Sequence, residues 1–406
     1  MTAVVVDTLV LGGGVAGLWT LRELLDAGID ACLVENAGLG GEQSMQVQGI
    51  VHGGGKYALR RVGDVSAIRQ IREMPDRWRE HRAGRRSPSL ADAHTSSEGC
   101  WLWLPAASWL ARLEALTLIP LLRHGGVLAT PPQSRPKSEW PLPLQQHALR
   151  AYRMDEPVLE PVSVISALAG PVGDRLLAGQ LRAMRREADA WELDFEDGRK
   201  IRARAVVACA GTGNAKILEL AGQDPARMQR RPLRMGLVRG DLADLPALHG
   251  HCVIGGRTRL TITSVDAAEG QRVWQVGGEL AERWASTNGE EFFGDLWVEI
   301  QRALPGLDLS RMELADYPAV RAEAANTAQS RPSGVQVDEV APSMIVAWPT
   351  KWAMAPLLAE EVAGLIVPGA KRPDTSFNSL DWPRAGLARP PWERAEWRSA
   401  NSARPA

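Results

Sequence analysis

The sequence has few cysteines, almost no net charge and no long apolar run, and each shortage excludes a class of protein. Its four cysteines lie far apart without a CxxC pair, so neither a disulfide framework nor a metal site is indicated. A formal net charge of -1 argues against a nucleic-acid partner. The sequence also lacks an apolar run long enough to span a bilayer and the basic start of a secretory signal. We therefore expect a cytoplasmic protein.

The first 35 residues predict a βαβ unit. Val4 to Leu11 is a short apolar run rich in β-branched residues, the pattern of a buried parallel strand. Apolar residues then recur at helical spacing until Gly28, a helix stop, and Ala31 to Glu35 is a second apolar strand.

Between the first strand and the helix lies a GxGxxG motif formed by Gly12, Gly14 and Gly17. The first glycine allows the tight turn, the second lets the backbone approach a pyrophosphate, and the third lets helix and strand pack closely. The helix N-terminus then faces the anion. Glu35 ends the second strand, where an acid can bond a ribose hydroxyl. This combination predicts a dinucleotide site but does not separate FAD from NAD.

The segment after Glu35 favours FAD. It continues as "NAGLGGEQSMQVQGIVHGGG" instead of the next helix and strand of a nicotinamide domain. A flavin bound in an extended form needs backbone close to it along its length, and glycines permit that approach. The sequence therefore predicts FAD as the cofactor.

Farther along the chain, periodicity predicts several elements. Residues 65 to 82 read as a polar helix interrupted at Pro75, and "GCWLWLP" reads as a strand. The segment "AASWLARLEALTLIPLLRHGG" has the pattern of an amphipathic helix. The DG turn after "AWELDFE" predicts a hairpin that leads into the apolar strand "ARAVVACAG".

Three blocks resemble the FAD-dependent oxidoreductases of the D-amino-acid oxidase superfamily. In "VENAGLGGEQS", Glu35 is similar to the family's ribose ligand and Ser44 to its loop serine. The block "RARAVVACAGTGN" resembles the returning strand, whose Ala210 and Gly211 pass the pyrophosphate, and the strand around Leu181 matches a position beside the adenine. The block "PTKWAMAPLLAEEV" occupies the place of the helix N-terminus under the flavin pyrimidine ring.

The resemblance implies an α/β fold with a Rossmann-like FAD-binding domain of the GR2 type. An interleaved α+β substrate domain with a mixed, largely antiparallel sheet would accompany it. The expected FAD domain comprises residues 1–75, 155–225 and 330–370, and the expected substrate domain comprises residues 76–154 and 226–329. Residues 371–406 carry many Pro, Arg and Ser, a composition that predicts a loosely packed tail. The residues assigned to the cofactor are Gly12, Gly14, Val15, Ala16, Gly17, Glu35, Asn36, Gln43, Ser44, Gly49, His52, Leu181, Ala210, Gly211, Thr350, Lys351 and Trp352.

The segment "QGIVHGGGKYAL" resembles the subgroup that oxidises glycerol 3-phosphate and L-2-hydroxyglutarate. The resemblance implies that His52 lies near the isoalloxazine ring, and three interpretations of it stay open. As a general base, it would take the proton of the substrate hydroxyl. It could instead anchor the flavin covalently, as a histidine does in some relatives, or be a structural histidine that bonds backbone or FAD.

Two further residues have candidate catalytic roles. In many relatives an arginine of the substrate domain binds a carboxylate, because its planar fork matches two oxygens. Arg321 occupies a similar place, and Arg331 is its rival because only Arg331 precedes a proline. Lys351 would help a positive helix end to stabilise negative charge at flavin N1 and O2.

These residues predict a reaction and its partners. We expect hydride transfer from the CH–OH carbon of a small, anionic molecule to flavin N5, with reoxidation by oxygen or another acceptor. Amine or amino-acid oxidation and flavin binding without turnover are the alternatives.

Two other features carry weaker indications. Arginines cluster in two segments. Each cluster is either a solvated helix face or a surface that attracts an anionic substrate or a membrane. His249 and His251 lie close in sequence, but no nearby carboxylate or cysteine spacing completes a metal site. The clustered arginines are Arg77, Arg79, Arg82, Arg85 and Arg86, and Arg227, Arg230, Arg231 and Arg234.

Overall fold

A computed structural model describes most of the chain, and strands and helices are numbered below in chain order over the described part. The described residues are 3–54, 65–106, 131–326, 332, 334–367, 377 and 380–404. The predicted helix "AASWLARLEALTLIPLLRHGG" falls largely outside them.

The first sheet has eight strands within the described residues. They are β1 (Val4–Leu11), β2 (Ala31–Glu35), β8 (Leu176–Ala178), β9 (Leu181–Glu187), β10 (Ala190–Phe195), β11 (Lys200–Ala208), β17 (Gln336–Ala341) and β18 (Met344–Trp348). Its centre is parallel, in the order β18-β11-β1-β2-β8, and β17 and the β9–β10 hairpin add antiparallel strands. Because both faces of the central strands are covered, β1 reads as a nearly continuous apolar run.

The second sheet has nine strands in the described part of the chain and follows the order β19-β16-β12-β15-β14-β13-β4-β6-β5. They are β4 (Cys100–Pro105), β5 (Gln133–Ser134), β6 (Ala148–Met154), β12 (Met228–Asp241), β13 (Gly250–Ile254), β14 (Arg257–Asp266), β15 (Gln271–Gly277), β16 (Glu313–Ala324) and β19 (Arg398–Ser399). All neighbours pair antiparallel except β13 and β4. Two short strands, β3 (Thr95–Ser97) and β7 (Val158–Leu159), pair separately.

Helices cover both sheets. They are α1 (Val15–Asp26), α2 (Val65–Arg82), α3 (Leu142–His147), α4 (Pro161–Ala169), α5 (Asn214–Leu220), α6 (Leu280–Trp284), α7 (Gly289–Ala303), α8 (Ala355–Leu365) and α9 (Pro391–Arg394). Helix α1 crosses between β1 and β2 as the βαβ prediction requires, and α7 buries Phe292, Leu296 and Ile300 against the second sheet. In the described residues, none of the helices combines the length and apolar character that crossing a membrane requires.

The chain passes repeatedly between the two sheets. The first sheet takes its strands from residues 4–35, 176–208 and 336–348, and the second from residues 100–154, 228–324 and 398–399. This alternation supports the expected interleaving of two domains, whose boundaries remain a proposal.

Helix α2 runs through Pro75, so the predicted interruption is wrong. A proline inside a helix removes one backbone hydrogen bond and costs about 3 kcal/mol. The same helix buries Ile71, Met74 and Trp78 almost completely, and each such side chain stabilises the fold by about 1.5–3 kcal/mol. Burial of this apolar face therefore outweighs the cost of the proline.

The described part of the C-terminal tail is well packed, which corrects the expectation of a loose tail. Trp382 is buried and its indole N–H donates to the Ala178 carbonyl at 2.9 Å. Trp392 and Ala400 are also buried, and β19 pairs with β16. Composition rich in Pro, Arg and Ser suggested a loose tail, but a few large aromatic side chains supply enough buried area to fix it.

Candidate active site

A cavity of about 280 Å³ opens at the carboxyl ends of β1 and β2, where open α/β sheets bind ligands. Its walls are the β1–α1 turn, the end of β2, the loop over residues 40–44, the turn after β11 and the end of β18. Twelve of the residues assigned to the cofactor line it: Gly12, Gly14, Val15, Ala16, Glu35, Asn36, Gln43, Ser44, Leu181, Ala210, Gly211 and Trp352.

The glycines of the β1–α1 turn permit close backbone approaches. Gly12 has a φ of +107°, and a Cβ there would lie 2.5 Å from the Ala210 Cα. Gly17 packs the helix on the turn, since its Cβ would lie 1.9 Å from the Gly12 carbonyl oxygen. Gly14 faces Ser44, whose Oγ would be 3.0 Å from an added Cβ. A larger residue at any of these positions would fill or distort the cavity wall.

The N-terminus of α1 forms an anion-binding end of this cavity. Its first turn contains no acidic residue, so the positive end of the helix dipole is not neutralised there. The Val15 N–H donates to Ser44 Oγ at 2.9 Å, which holds the loop over the helix end. Helix N-termini of this kind bind phosphates.

Glu35 organises the wall of the cavity at the end of β2. Its Oε2 accepts from the Gly13 N–H at 2.6 Å, and its Oε1 accepts from the N–H groups of Asn36 and Ala37 at 2.9 and 2.8 Å. These bonds tie the glycine turn to the end of β2. Each carboxylate oxygen can accept more than one hydrogen bond, so the cavity side can still receive a ribose hydroxyl.

Two tryptophans add apolar walls to this cavity. Trp348 ends β18 and Trp352 follows it in the next turn, and both side chains are largely buried. The pyrophosphate cradle at the N-terminus of α1 and the acceptor at the end of β2 together fit an FAD.

A second cavity of about 150 Å³ adjoins the first and shares Gln43, Val47 and Trp352 with it. It brings together the three predicted catalytic residues, His52, Arg321 and Lys351, from distant parts of the sequence. Its lining also includes Gly49 and Thr350. The rival arginine, Arg331, lies outside the described residues.

The turn between β18 and α8 carries backbone strain beside this cavity. Thr350 has a φ of +58°, which is costly for a β-branched residue, and its Oγ donates to the Gly334 carbonyl at 2.5 Å. Lys351 follows, and a short 3₁₀ turn over Trp352–Met354 leads into α8, whose first turn has no acidic residue. The turn thus presents a lysine and a positive helix end to the cavity.

His52 is held by a buried carboxylate that sequence reasoning missed. Its Nδ1 lies 3.1 Å from Glu156 Oε2, and the neighbouring Gly53 N–H donates to Glu156 Oε1 at 2.8 Å. The Cys100 thiol also donates to Glu156 Oε2, at 3.7 Å. Burial and the nearby Glu156 raise the pKa of this thiol well above its ordinary value, so Cys100 keeps its proton.

The His251 ring stacks on the His52 ring, with centroids 5.3 Å apart and planes inclined by 29°. The polar atoms of His52, Glu156 and His251 lie within 4.8 Å of one another, a grouping that could also hold a metal ion. The structure therefore supplies the carboxylate near His251 that the sequence pattern lacked. Burial and the nearby Arg272 lower the pKa of His249 to about 4.

Carboxylates pair with several of the clustered arginines. Arg77 bonds Glu360 at 2.7 Å, and Arg231 bonds Glu323 at 2.8 Å. Arg77, Arg79 and Arg82 lie on helix α2, which agrees with a helix face. Arg230, Arg231 and Arg234 lie on strand β12, and Glu323 is fully buried, so the interpretation as a solvated helix face is wrong for the second cluster.

Comparisons with known proteins identify the family to which the chain belongs. A family model described as FAD dependent oxidoreductase matches residues 7–365. A probable FAD-dependent oxidoreductase of Pseudomonas aeruginosa is 35% identical over 395 residues, which are 96% of this chain and 98% of that protein. The crystal structure of that relative has a TM-score of 0.78 at 33% identity and covers 97% of this chain and 99% of its own.

Two more distant structures share the fold at 15% identity. Glycine oxidase from Geobacillus kaustophilus has a TM-score of 0.64 and covers 92% of this chain and 98% of its own. L-alpha-glycerophosphate oxidase from Mycoplasma pneumoniae, solved with FAD bound, has a TM-score of 0.65 and covers 96% of this chain and 97% of its own.

Proposed function

The chain belongs to the family of FAD-dependent oxidoreductases, and we propose that it oxidises the CH–OH group of a small anionic substrate, a hydroxy acid or a polyol phosphate. One observation carries this proposal: the second cavity gathers His52, Arg321 and Lys351 beside the cavity that fits FAD. Its volume of about 150 Å³ is below that of a pocket for a drug-sized ligand, which favours a small substrate.

The charged residues of the cavity support an anionic substrate. The planar guanidinium of Arg321 can bond two oxygens of a carboxylate or phosphate. Lys351 and the N-terminus of α8 would add positive potential to the same cavity. Together these groups would favour an anionic substrate.

His52 supports alcohol oxidation in particular. Bound FAD supplies the hydride acceptor at N5. An alcohol must lose its hydroxyl proton as the hydride departs, and His52 would take that proton. A neutral amine already carries the lone pair that forms the C=N bond, so it needs no base of this kind.

The test is anaerobic mixing of the purified holoenzyme with 2-hydroxy acids, glycerol 3-phosphate and the matching amino acids, followed by the flavin spectrum. We expect a hydroxy compound to bleach the flavin and the matching amino acid to leave it coloured. Bleaching by the amino acid alone would replace the proposal with amine oxidation. Bleaching by no compound of either class would favour a flavin-binding role without turnover.

Acid precipitation of the same protein decides whether His52 anchors the flavin. We expect the colour to remain in the supernatant, because Nδ1 of His52 is already bonded to Glu156 and Nε2 is needed as the base. Colour that stays in the pellet would make His52 a candidate anchor and remove it as the base.

A further inference from the structure

Glu156 lies behind His52, and the reaction described above gives it no role. The carboxylate is 3% exposed and stands between β6 and β7, about a hundred residues from the histidine that it contacts. A buried carboxylate is costly unless hydrogen bonds or charges compensate it. Glu156 contacts His52, the candidate base that lines the second cavity, and this contact indicates a role for Glu156 in the reaction.

The hydrogen bonds around Glu156 favour its ionised form. The Gly53 N–H reaches Oε1, while the Cys100 thiol and His52 Nδ1 reach Oε2. An ionised carboxylate only accepts hydrogen bonds, and donors on both oxygens stabilise that form. Nδ1 of His52 must then carry a proton in order to donate, which leaves the lone pair of the neutral ring on Nε2.

We propose that Glu156 is a positioning residue that fixes His52 as the Nδ1–H tautomer and directs the basic Nε2 to the substrate hydroxyl. This inference rests on the proposed function for the identity of the proton donor. As the hydride leaves the carbinol carbon for the flavin, the substrate O–H bond breaks and its electron pair completes the C=O bond. The proton moves to Nε2, and the Glu156 carboxylate balances the positive charge of the imidazolium.

The His251 ring restricts the orientation of the His52 ring by stacking on it. Its ring covers one face of His52 at 5.3 Å, and its Nδ1 lies 2.9 Å from Thr261 Oγ1. Tilting of the His52 ring out of this plane would disturb both the stack and the bond to Glu156. Nδ1 of each histidine is already hydrogen-bonded, to Glu156 in His52 and to Thr261 in His251. These bonds favour a proton acceptor over a metal centre.

The first test is ¹⁵N NMR of the holoenzyme labelled at histidine, with the His52 signals assigned by their loss in His52→Asn. The asparagine amide can still donate to Glu156 from the position of Nδ1, so the variant removes the base while keeping that bond. We expect a protonated Nδ1 and an unprotonated Nε2 in the wild type. Protonation at Nε2 instead would overturn the proposal without any need for a Glu156 variant.

Two variants test the role of Glu156 itself. Glu156→Gln keeps the shape but can donate its amide N–H to Nδ1, so we expect the His52 proton to move to Nε2. The rate constant of flavin reduction should then fall at least about 100-fold, the usual size of a lost general base, with unchanged FAD content. Glu156→Asp keeps the charge and should retain the Nδ1–H tautomer and recover part of the rate.

The outcomes separate this inference from the proposed function. An unchanged tautomer and rate in Glu156→Gln would refute the role of Glu156, even if hydroxy acids reduce the flavin. A tautomer that moves as expected while only amines reduce the flavin would retain the positioning role and refute the proposed substrate class. Wild-type ¹⁵N signals at both His52 and His251 that shift when Zn²⁺ is added at stoichiometric concentration would identify a metal site and overturn the proposal.

Discussion

At the scale of single residues, we propose that Arg321 binds the anionic group of the substrate in the second cavity. Arg321→Lys keeps the charge but loses the planar fork, and hydrogen bonds to charged groups contribute about 1.5–3 kcal/mol. We therefore expect the KM for an anionic substrate to rise about 10- to 100-fold, with a smaller change in kcat. Steady-state kinetics of the holoenzyme measures this split.

Arg311→Lys is the matched control, because Arg311 is exposed and pairs with Asp244 away from the cavity. It should leave both kinetic constants unchanged. An Arg321→Lys enzyme with wild-type KM would remove Arg321 from substrate binding and return attention to Arg331.

Predictability at this scale depends on how far apart the contacting residues lie in sequence. Gly12 and Gly14 could be predicted because a tight turn before a helix imposes its own local spacing. The contact of Glu156 with His52 could not, since it links residues about a hundred positions apart with no shared motif. The place of His251 depends on the parallel register of β13 against β4, which no local pattern encodes.

At the scale of elements, a methyl group added at Gly17 should disrupt the packing of α1 against the β1–α1 turn. In Gly17→Ala the new Cβ would meet the Gly12 carbonyl oxygen at 1.9 Å, so helix and strand must separate. We expect loss of FAD from the purified protein and a lower thermal midpoint. The ratio of flavin to protein absorbance after gel filtration measures the first effect directly.

Gly364→Ala is the control for that change, because Gly364 lies in α8 with open space around it. Alanine favours a helix interior by about 0.5–1 kcal/mol over glycine, so this variant should be slightly more stable and retain FAD. Full FAD content in Gly17→Ala would show that the turn tolerates the separation.

Helices α1 and α8 bring carboxylates together, which makes their contact sensitive to pH. Burial, then Glu360 and Asp26, raise the pKa of Glu23 from 4.5 to about 7. The folded protein therefore binds the proton more tightly than the unfolded chain does. The contribution of Glu23 to the free energy of unfolding is therefore greatest below pH 4.5. This contribution falls as the pH rises towards 7.

Glu23→Gln removes this ionisation. We expect the variant to be more stable than the wild type at pH 8 by about 1 kcal/mol, a figure reduced for partial exposure, and equally stable at pH 5. Thermal unfolding at both values measures the difference. Glu219→Gln, an exposed helix position paired with Lys216, is the control and should show no such pH dependence. An equal effect of Glu23→Gln at both pH values would contradict the argument.

The C-terminal tail connects both sheets at the scale of the whole molecule. Trp392 packs in one cluster with Leu233 and Met235, which also line the second cavity. Trp392→Ala should cost about 3–5 kcal/mol and raise the KM for the substrate, because the cavity wall loses its support. FAD content at low temperature should stay normal, since Trp392 does not line the first cavity.

Unfolding followed by tryptophan and flavin fluorescence measures both effects. Trp397→Ala is the matched control, because Trp397 is only partly buried and should cost far less. A thermal midpoint of Trp392→Ala equal to that of Trp397→Ala would mean that the tail does not support the cavity.

The global fold was more predictable from sequence than the details of the tail. The comparisons confirm the fold class, the FAD cofactor and the oxidoreductase class, which rested on a βαβ unit and on motifs that occur in a fixed order. The tail was mispredicted because its stability comes from Trp382 and Trp392 packing against distant strands. The substrate class stays a proposal, because it depends on side chains that only the folded chain assembles.

The central claim is that His52 would take the proton of a substrate hydroxyl group, with bound FAD supplying the hydride acceptor. The most direct measurement is the anaerobic rate constant of flavin reduction by the best hydroxy substrate in the wild type and in His52→Asn, at equal FAD content. The account predicts a decrease of at least about 100-fold in the variant. A variant that reduces its flavin at the wild-type rate, or an enzyme that only amines can reduce, would contradict it.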